Sequence, residues 1–293
     1  MAVKVSIELI KELRERTGAG LMDCKNALAE SDCDIEKAIT WLREKGITKV
    51  AKKSGRVAAE GRSLVVVDGD FAVIYEVNSE TDFVSESPSF GEFASKVGQI
   101  LISQKPSDLD SAREAVSELV TEYTLKLGEK LELRRFVILH KDPEEIFGDY
   151  IHMGGKVAAL IQLQGGNQEQ AHQLAMSLAA AMEISYINEK DIPQEALEKE
   201  TAIQLAESNN DPSFAKKPEA IQKRIVEGKV RKILLSACFT EQEFIPDPTR
   251  TVAEVLKANG QTIVTAIRYR TGEGIERKVS DFAAEVEAQL HQN

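Results

Sequence analysis

Leu64-Val-Val-Val67, Asp68-Gly69-Asp70 and Phe71-Ala-Val-Ile-Tyr-Glu-Val77 follow one another without interruption. Two apolar runs rich in β-branched and aromatic residues, separated by Asp-Gly, are the strongest short-range signal for a β-hairpin. Asp-Gly suits the positive φ angles of a type I′ turn, so the chain is expected to turn there on two residues. An antiparallel sheet at this point obliges the neighbouring helices to cover it. The second run then passes into Asn78-Ser-Glu-Thr-Asp82, and Phe83 and Val84 follow before Pro88 opens the next helix. An aromatic ring on a polar turn either folds back on the adjoining helix, near Phe90 and Phe93, or anchors a partner.

Before the hairpin the texture is helical. Residues 1–46 divide into three short helices with apolar faces at Ile7, Ile10 and Leu13; at Leu21, Cys24, Ala27 and Leu28; and at Ile35, Ala38, Ile39 and Leu42. Ser6 and Asp34 suit the N-caps of the first and third. So small a bundle has little core of its own and reads as a recognition module on a larger body. The connecting segment carries Lys45, Lys49, Lys52, Lys53, Arg56 and Arg62. It is either a solvated helix or linker, or an electrostatic docking strip.

After the hairpin, helices are expected at about 88–103 and 107–127, then a strand in KLELRRFVILH. The second half repeats this order loosely, with a strand at 157–163, a Gly165-Gly166 turn, a helix in NQEQAHQLAMSLAAAM and a final strand in TIVTAIRYR. Between them, at about 190–236, two charged helices joined by NNDPSFAKK read as a projecting antiparallel pair. The last segment is a terminal helix with Phe282, Val286 and Leu290 on one stripe, which docks on its own core or on a partner.

The fold class expected is α+β: an N-terminal three-helix bundle at 1–54 and a two-part α/β core with antiparallel sheets at 55–145 and 146–272. A protruding helical coiled-coil hairpin interrupts the core at about 190–236, and a C-terminal helix occupies 273–293. At 293 residues the chain exceeds what one core usually holds.

Chemistry is hard to find. Gly155-Lys156 lacks the remaining residues of a phosphate loop, and GAGLMD at 18–23 follows a helix instead of a strand. His140, His152, His172 and His291 are scattered, no HExxH or GxSxG is present, and Cys24, Cys33 and Cys238 form no CxxC. Neither cofactor nor metal is expected, and no covalent catalysis. A net charge of −11 argues against nucleic acid as a direct partner, since phosphate binding needs concentrated positive charge. The early charges of MAVKVSIELIKELRERTG and the lack of long apolar runs lead to the expectation of a cytoplasmic protein with no membrane contact.

Three stretches, LIKELRERTGAGLMDCKNAL at 9–28, EVNSETDFV at 76–84 and GEGIERKVSDFAAEV at 272–286, closely resemble bacterial translation elongation factor Ts. The order of modules is similar across essentially the whole chain. Leu21 stands where the first residue of a Met-Met pair is often found, and keeps an apolar side chain of similar volume.

The resemblance implies guanine-nucleotide exchange on elongation factor Tu, bound in its GDP-carrying and nucleotide-free forms. It implies that Phe83 wedges into an apolar pocket of the GTPase, with Asp82 beside the region that organises Mg²⁺. Thr81, Val84, Leu21, Met22 and His152 would join the interface, as would Phe282 and Val286 of the terminal helix. Leu21 could in part pack inside the small bundle, and His152 could be a purely structural histidine. The rival from another class is a protein-binding adaptor or assembly factor, which would hold the same partner without accelerating nucleotide release.

Overall fold

In the computed structural model, residues 5–181 and 183–276 are described. These residues divide into two compact units, the first made of 5–140, 151–158 and 269–276, the second of the described residues of 141–150 and 159–268. It is a mixed α+β fold with small sheets.

The first unit begins with helices α1 (Ile7–Thr17), α2 (Leu21–Glu30) and α3 (Ile35–Lys53). Ser6 caps α1 through the Leu9 amide, and Asp34 caps α3 through the Lys37 amide. Leu13, Cys24, Ala27, Leu28, Ala38 and Leu42 are the centre of their own small core. The third helix runs well past residue 46, because the basic segment that follows it continues the helical turn as far as Lys53.

Strands β1 (Glu60–Asp68) and β2 (Phe71–Ser79) form the expected antiparallel hairpin, with Asp68 opposite Phe71. The turn type differs from expectation. Gly69, at φ 56°, is the first of the two central residues, and Asp70 is not in the positive-φ region. That pattern belongs to a type II′ turn, which places glycine first.

Past the hairpin come α4 (Asp82–Glu86), α5 (Pro88–Gln104), α6 (Leu109–Ala115) and α7 (Ser117–Leu127), then β3 (Glu132–His140). The single helix expected at 107–127 is two helices parted at Val116, whose buried side chain joins the core beneath. Strand β3 pairs antiparallel with β2, giving the order β1-β2-β3. Phe90, Phe93, Val97 and Leu101 of α5 pack with Val73, Tyr75 and Val77 of β2.

Tyr75 sets the seating of α5 on the sheet. Its hydroxyl donates to the Ala94 carbonyl at 2.8 Å, and burial pushes its pKa well above the usual tyrosine range. A Cβ on Gly98 would stand 2.3 Å from that hydroxyl, so only glycine lets the helix approach. A helical glycine costs about 1 kcal/mol against alanine. Here the close approach explains it.

The second unit carries β4 (Glu145–His152), β5 (Val157–Gln164) and β8 (Thr262–Arg270), which adjoin in that order; the outer ends of all three strands fall in the first unit. Strand β4 was not foreseen, because EIFGDYIH mixes charge and glycine into its apolar pattern. Helix α8 (Gln168–Ala180) begins on an Asn167–Gln170 capping box and lies close over Gly148 of β4. Helices α9 (Gln194–Asn209) and α11 (Glu219–Ser236) make the inserted pair, and the loop expected between them contains the short helix α10 (Pro212–Ala215). Phe214 of α10 is buried with Val226, Val230 and Leu234 of α11, and Lys229 donates to Ser208 Oγ. A short β6 (Glu243–Phe244) and β7 (Asp247–Thr251) precede α12 (Val252–Asn259). Among the described residues no helix is long and apolar enough to cross a membrane.

Candidate protein-binding site

Between β2 and α5 the chain must change from strand to helix within a few residues, and α4 is the corner. Thr81 caps it, its Oγ1 accepting from the Val84 amide. Ser87 then caps α5 through the Phe90 amide, with Pro88 at the first helical position, where its missing N–H costs nothing. Each cap is worth about 1 kcal/mol.

A second set of bonds comes from far along the chain. Glu129, just past the end of α7, accepts from the amides of Glu80 and Thr81 and from Thr81 Oγ1, the last at 2.6 Å. Glu80 in turn accepts from the Lys130 amide and from Arg56. At the other end of α4, the Arg62 Nε donates to the Ser85 carbonyl at 2.8 Å. Charge-assisted bonds of this kind are worth about 1.5–3 kcal/mol each when made away from bulk water.

On this braced corner Phe83 stands 87% exposed. It does not fold back: Phe90 and Phe93 are fully buried and pack on each other, ring centroids 5.6 Å apart. Val84, the next residue, packs against the core and holds α4 down. Asp82 is exposed and accepts from the Phe83 amide. A buried phenylalanine gains about 1.5–3 kcal/mol over an exposed one. The ring therefore keeps a favourable transfer in reserve for whatever covers it.

Leu21 and Met22 open α2 and are 55% and 59% exposed, so Leu21 is not absorbed into the bundle core. His152 is exposed at the end of β4, beside Ile151 and a Met153 that is 73% exposed. The residues 152–155 turn and the α4 corner meet the same side chain, Arg62, whose Cβ lies 2.9 Å from where a Cβ on Gly155 would be. Phe282 and Val286 lie outside the described residues.

The basic segment is largely occupied with internal contacts. Lys53 donates to the Gly128 carbonyl at the C-terminus of α7, where a cation suits the helix dipole. Arg56 pairs with Glu80, and Lys45 lies over the Trp41 ring. Gly46 lets α3 lie on Thr121 and Leu125 of α7. Lys45, Lys53 and Arg56 are thus held by contacts within the first unit.

Sequence reasoning missed Glu129 and the buried Glu76, and it placed Arg62 in the basic connecting segment, whereas Arg62 lies on β1. Glu76 accepts from Arg134 at 3.0 Å, Arg135 at 2.6 Å and the Gly272 amide at 2.8 Å. Both arginines reach it because a β-bulge in β3 sets two residues against one of β2, which breaks the usual alternation of faces. Only Arg134-Arg135 beside an internal strand glutamate could have signalled it, and pairing register is not visible in sequence.

A family model described as "Elongation factor TS" matches residues 80–273. Among curated relatives, proteins named Elongation factor Ts are similar along nearly their whole length. The protein from Spiroplasma citri is 42% identical over 295 residues, covering 98% of this chain and 99% of the relative. That from Acholeplasma laidlawii (strain PG-8A) is 41% identical over 294 residues, with the same coverage. That from Lacticaseibacillus casei (strain BL23) is 42% identical over 294 residues, again covering 98% and 99%.

Proposed function

The chain belongs to the elongation factor Ts family, and from that premise we propose that it promotes GDP release from elongation factor Tu in translation elongation. The observation that carries the reading at residue level is Phe83, an exposed ring on a corner fixed by bonds from Arg56, from Arg62 and from the neighbours Glu129 and Lys130.

An exchange factor performs no bond chemistry. It must bind the nucleotide-free GTPase more tightly than the GDP-bound form, since only differential affinity shifts an equilibrium. By linkage, nucleotide then weakens the factor's hold by the same ratio, each tenfold being about 1.4 kcal/mol. In the proposed mechanism Phe83 enters an apolar pocket of the nucleotide domain, supported by Thr81 and Val84. Asp82 disturbs the Mg²⁺ and phosphate contacts that hold GDP. Leu21, Met22 and His152 supply further contacts, as do Phe282 and Val286. The modules of this proposal are 1–54, 55–145, 146–272 with its hairpin at about 190–236, and 273–293. With a net charge of −11, direct nucleic-acid binding has no part in it.

The test is release of a fluorescent GDP analogue from elongation factor Tu. Acceleration proportional to the concentration of this protein is expected. Stable binding with no change in release would leave an adaptor.

A further inference from the structure

We propose that Arg62 is a positioning residue that sets the Phe83 corner and the 152–155 turn in one docking surface for elongation factor Tu; this rests on the exchange reading above. Arg62 lies on β1, half-buried, and its two ends serve two elements. The Nε donates to the Ser85 carbonyl at 2.8 Å. Ser85 is in the only turn of α4, whose carbonyls have little helix beyond them to accept from, so this bond closes the element that carries Phe83. The guanidinium carbon sits 6.0 Å from the centre of the Phe90 ring.

The stem of the same side chain packs on Gly155, where an added Cβ would come 2.9 Å from Arg62 Cβ and 3.2 Å from Cγ. On α5, a Cβ on Gly91 would come 3.0 Å from Nη1. Gly155 has a φ of 106°, which favours glycine in any case. Gly91 has no such backbone reason and sits inside a helix, where glycine is unfavourable. The room it leaves for the guanidinium accounts for it.

The turn on the far side of Arg62 is itself pinned. Thr271 Oγ1 donates to the Gly155 carbonyl at 2.8 Å, the Thr271 amide donates to the Lys156 carbonyl, and Lys156 pairs with Glu60. Met153 rides on this turn at φ 48°, a left-handed conformation that side-chain-bearing residues seldom adopt. It is exposed there, so core packing does not explain the strain. Two exposed apolar side chains on pinned supports thus share one brace.

The experiment compares wild type, Arg62→Met, Phe83→Ala and the double variant in GDP release from elongation factor Tu, with melting temperatures alongside. Arg62→Met should lower the second-order release constant roughly tenfold, the lower end of what one lost charge-assisted bond is worth. The rate at saturating factor should hold, because the loss is in preorganisation. In the Phe83→Ala background the same change should cost distinctly less than in wild type, since of the two elements it sets only the 152–155 turn still carries its apolar side chain. Gly91→Leu, which displaces the guanidinium without touching Ser85, should reproduce the defect and decides the matter if Arg62→Met melts far below wild type. Wild-type rates in both Arg62→Met and Gly91→Leu would overturn the proposal, as would an equal loss with and without Phe83. Full activity in Phe83→Ala alone would instead remove the exchange reading of the ring, and this proposal with it.

Discussion

Two exposed apolar patches in the first unit are built on different principles. Phe83 stands on a corner held by Thr81 and Ser87 caps, by the distant Glu129, by Glu80 with Lys130 and Arg56, and by Arg62. Leu21 and Met22 open a helix on Gly20, which offers no side-chain cap, above a core of a few small and medium residues. The first patch is determined by long-range bonds and the second by backbone and a little packing. Preorganisation should therefore concentrate affinity at Phe83, while Leu21 and Met22 contribute area.

The sharpest break in that comparison is a pair of phenylalanines, Phe83 and Phe93, ten residues apart in chain but opposite in burial. Phe93→Ala should cost about 3–5 kcal/mol of stability, as a fully buried ring does. Phe83→Ala should stay within about 0.5 kcal/mol of wild type in the same denaturant titration. A large loss at Phe83 would mean the ring is buried in solution and the corner has been misjudged.

Next in size is Glu129→Ala. It strands the Glu80 and Thr81 amides, and a loss of about 2–3 kcal/mol is expected in denaturant titration. Hydrogen exchange at those two amides should rise selectively. Unchanged protection there would show that the distant carboxylate does not hold the corner.

Leu21→Ala and Met22→Ala should each slow GDP release by about fivefold or less, roughly 1 kcal/mol, with melting unaffected because both side chains are exposed. A loss at either that matched Phe83→Ala would erase the distinction between the patches.

The smallest effect lies beside the second patch. Lys126 packs on Gly18, in the turn before α2, and pairs with Glu92. The Lys96 ammonium, then the Tyr123 hydroxyl, hold the Glu92 carboxyl down to about 2 from an ordinary 4.5. A depressed carboxyl contributes stability that is present above its ordinary range and fades as pH falls from 4.5 toward 2. Glu92→Gln should flatten that part of the melting curve slightly. An acid limb identical to wild type would show that the pair is fully screened.

Much of the local architecture was legible because it is written locally. The hairpin at Asp68-Gly69-Asp70, the caps Ser6 and Asp34, and the strand at 262–270 all rest on neighbours in sequence. So did the oddity of Phe83. What could not be seen depends on register and distance. Glu129 reaches Thr81 across 48 positions, and Arg62 is defined by glycines at 91 and 155. Glu76 looks like an ordinary strand residue until a bulge turns two arginines toward it. Strand β4 was lost because Gly148, which admits α8, interrupts its pattern.

The central claim is that a rigidly presented ring at Phe83 drives exchange. It is met most directly by measuring fluorescent-GDP release from elongation factor Tu with wild type and Phe83→Ala at equal concentrations of folded protein. The account predicts release at least about thirtyfold slower for the variant, the size of an interface hot spot near 2 kcal/mol, with an unchanged melting temperature. Release at the wild-type rate by a fully folded Phe83→Ala protein would contradict it.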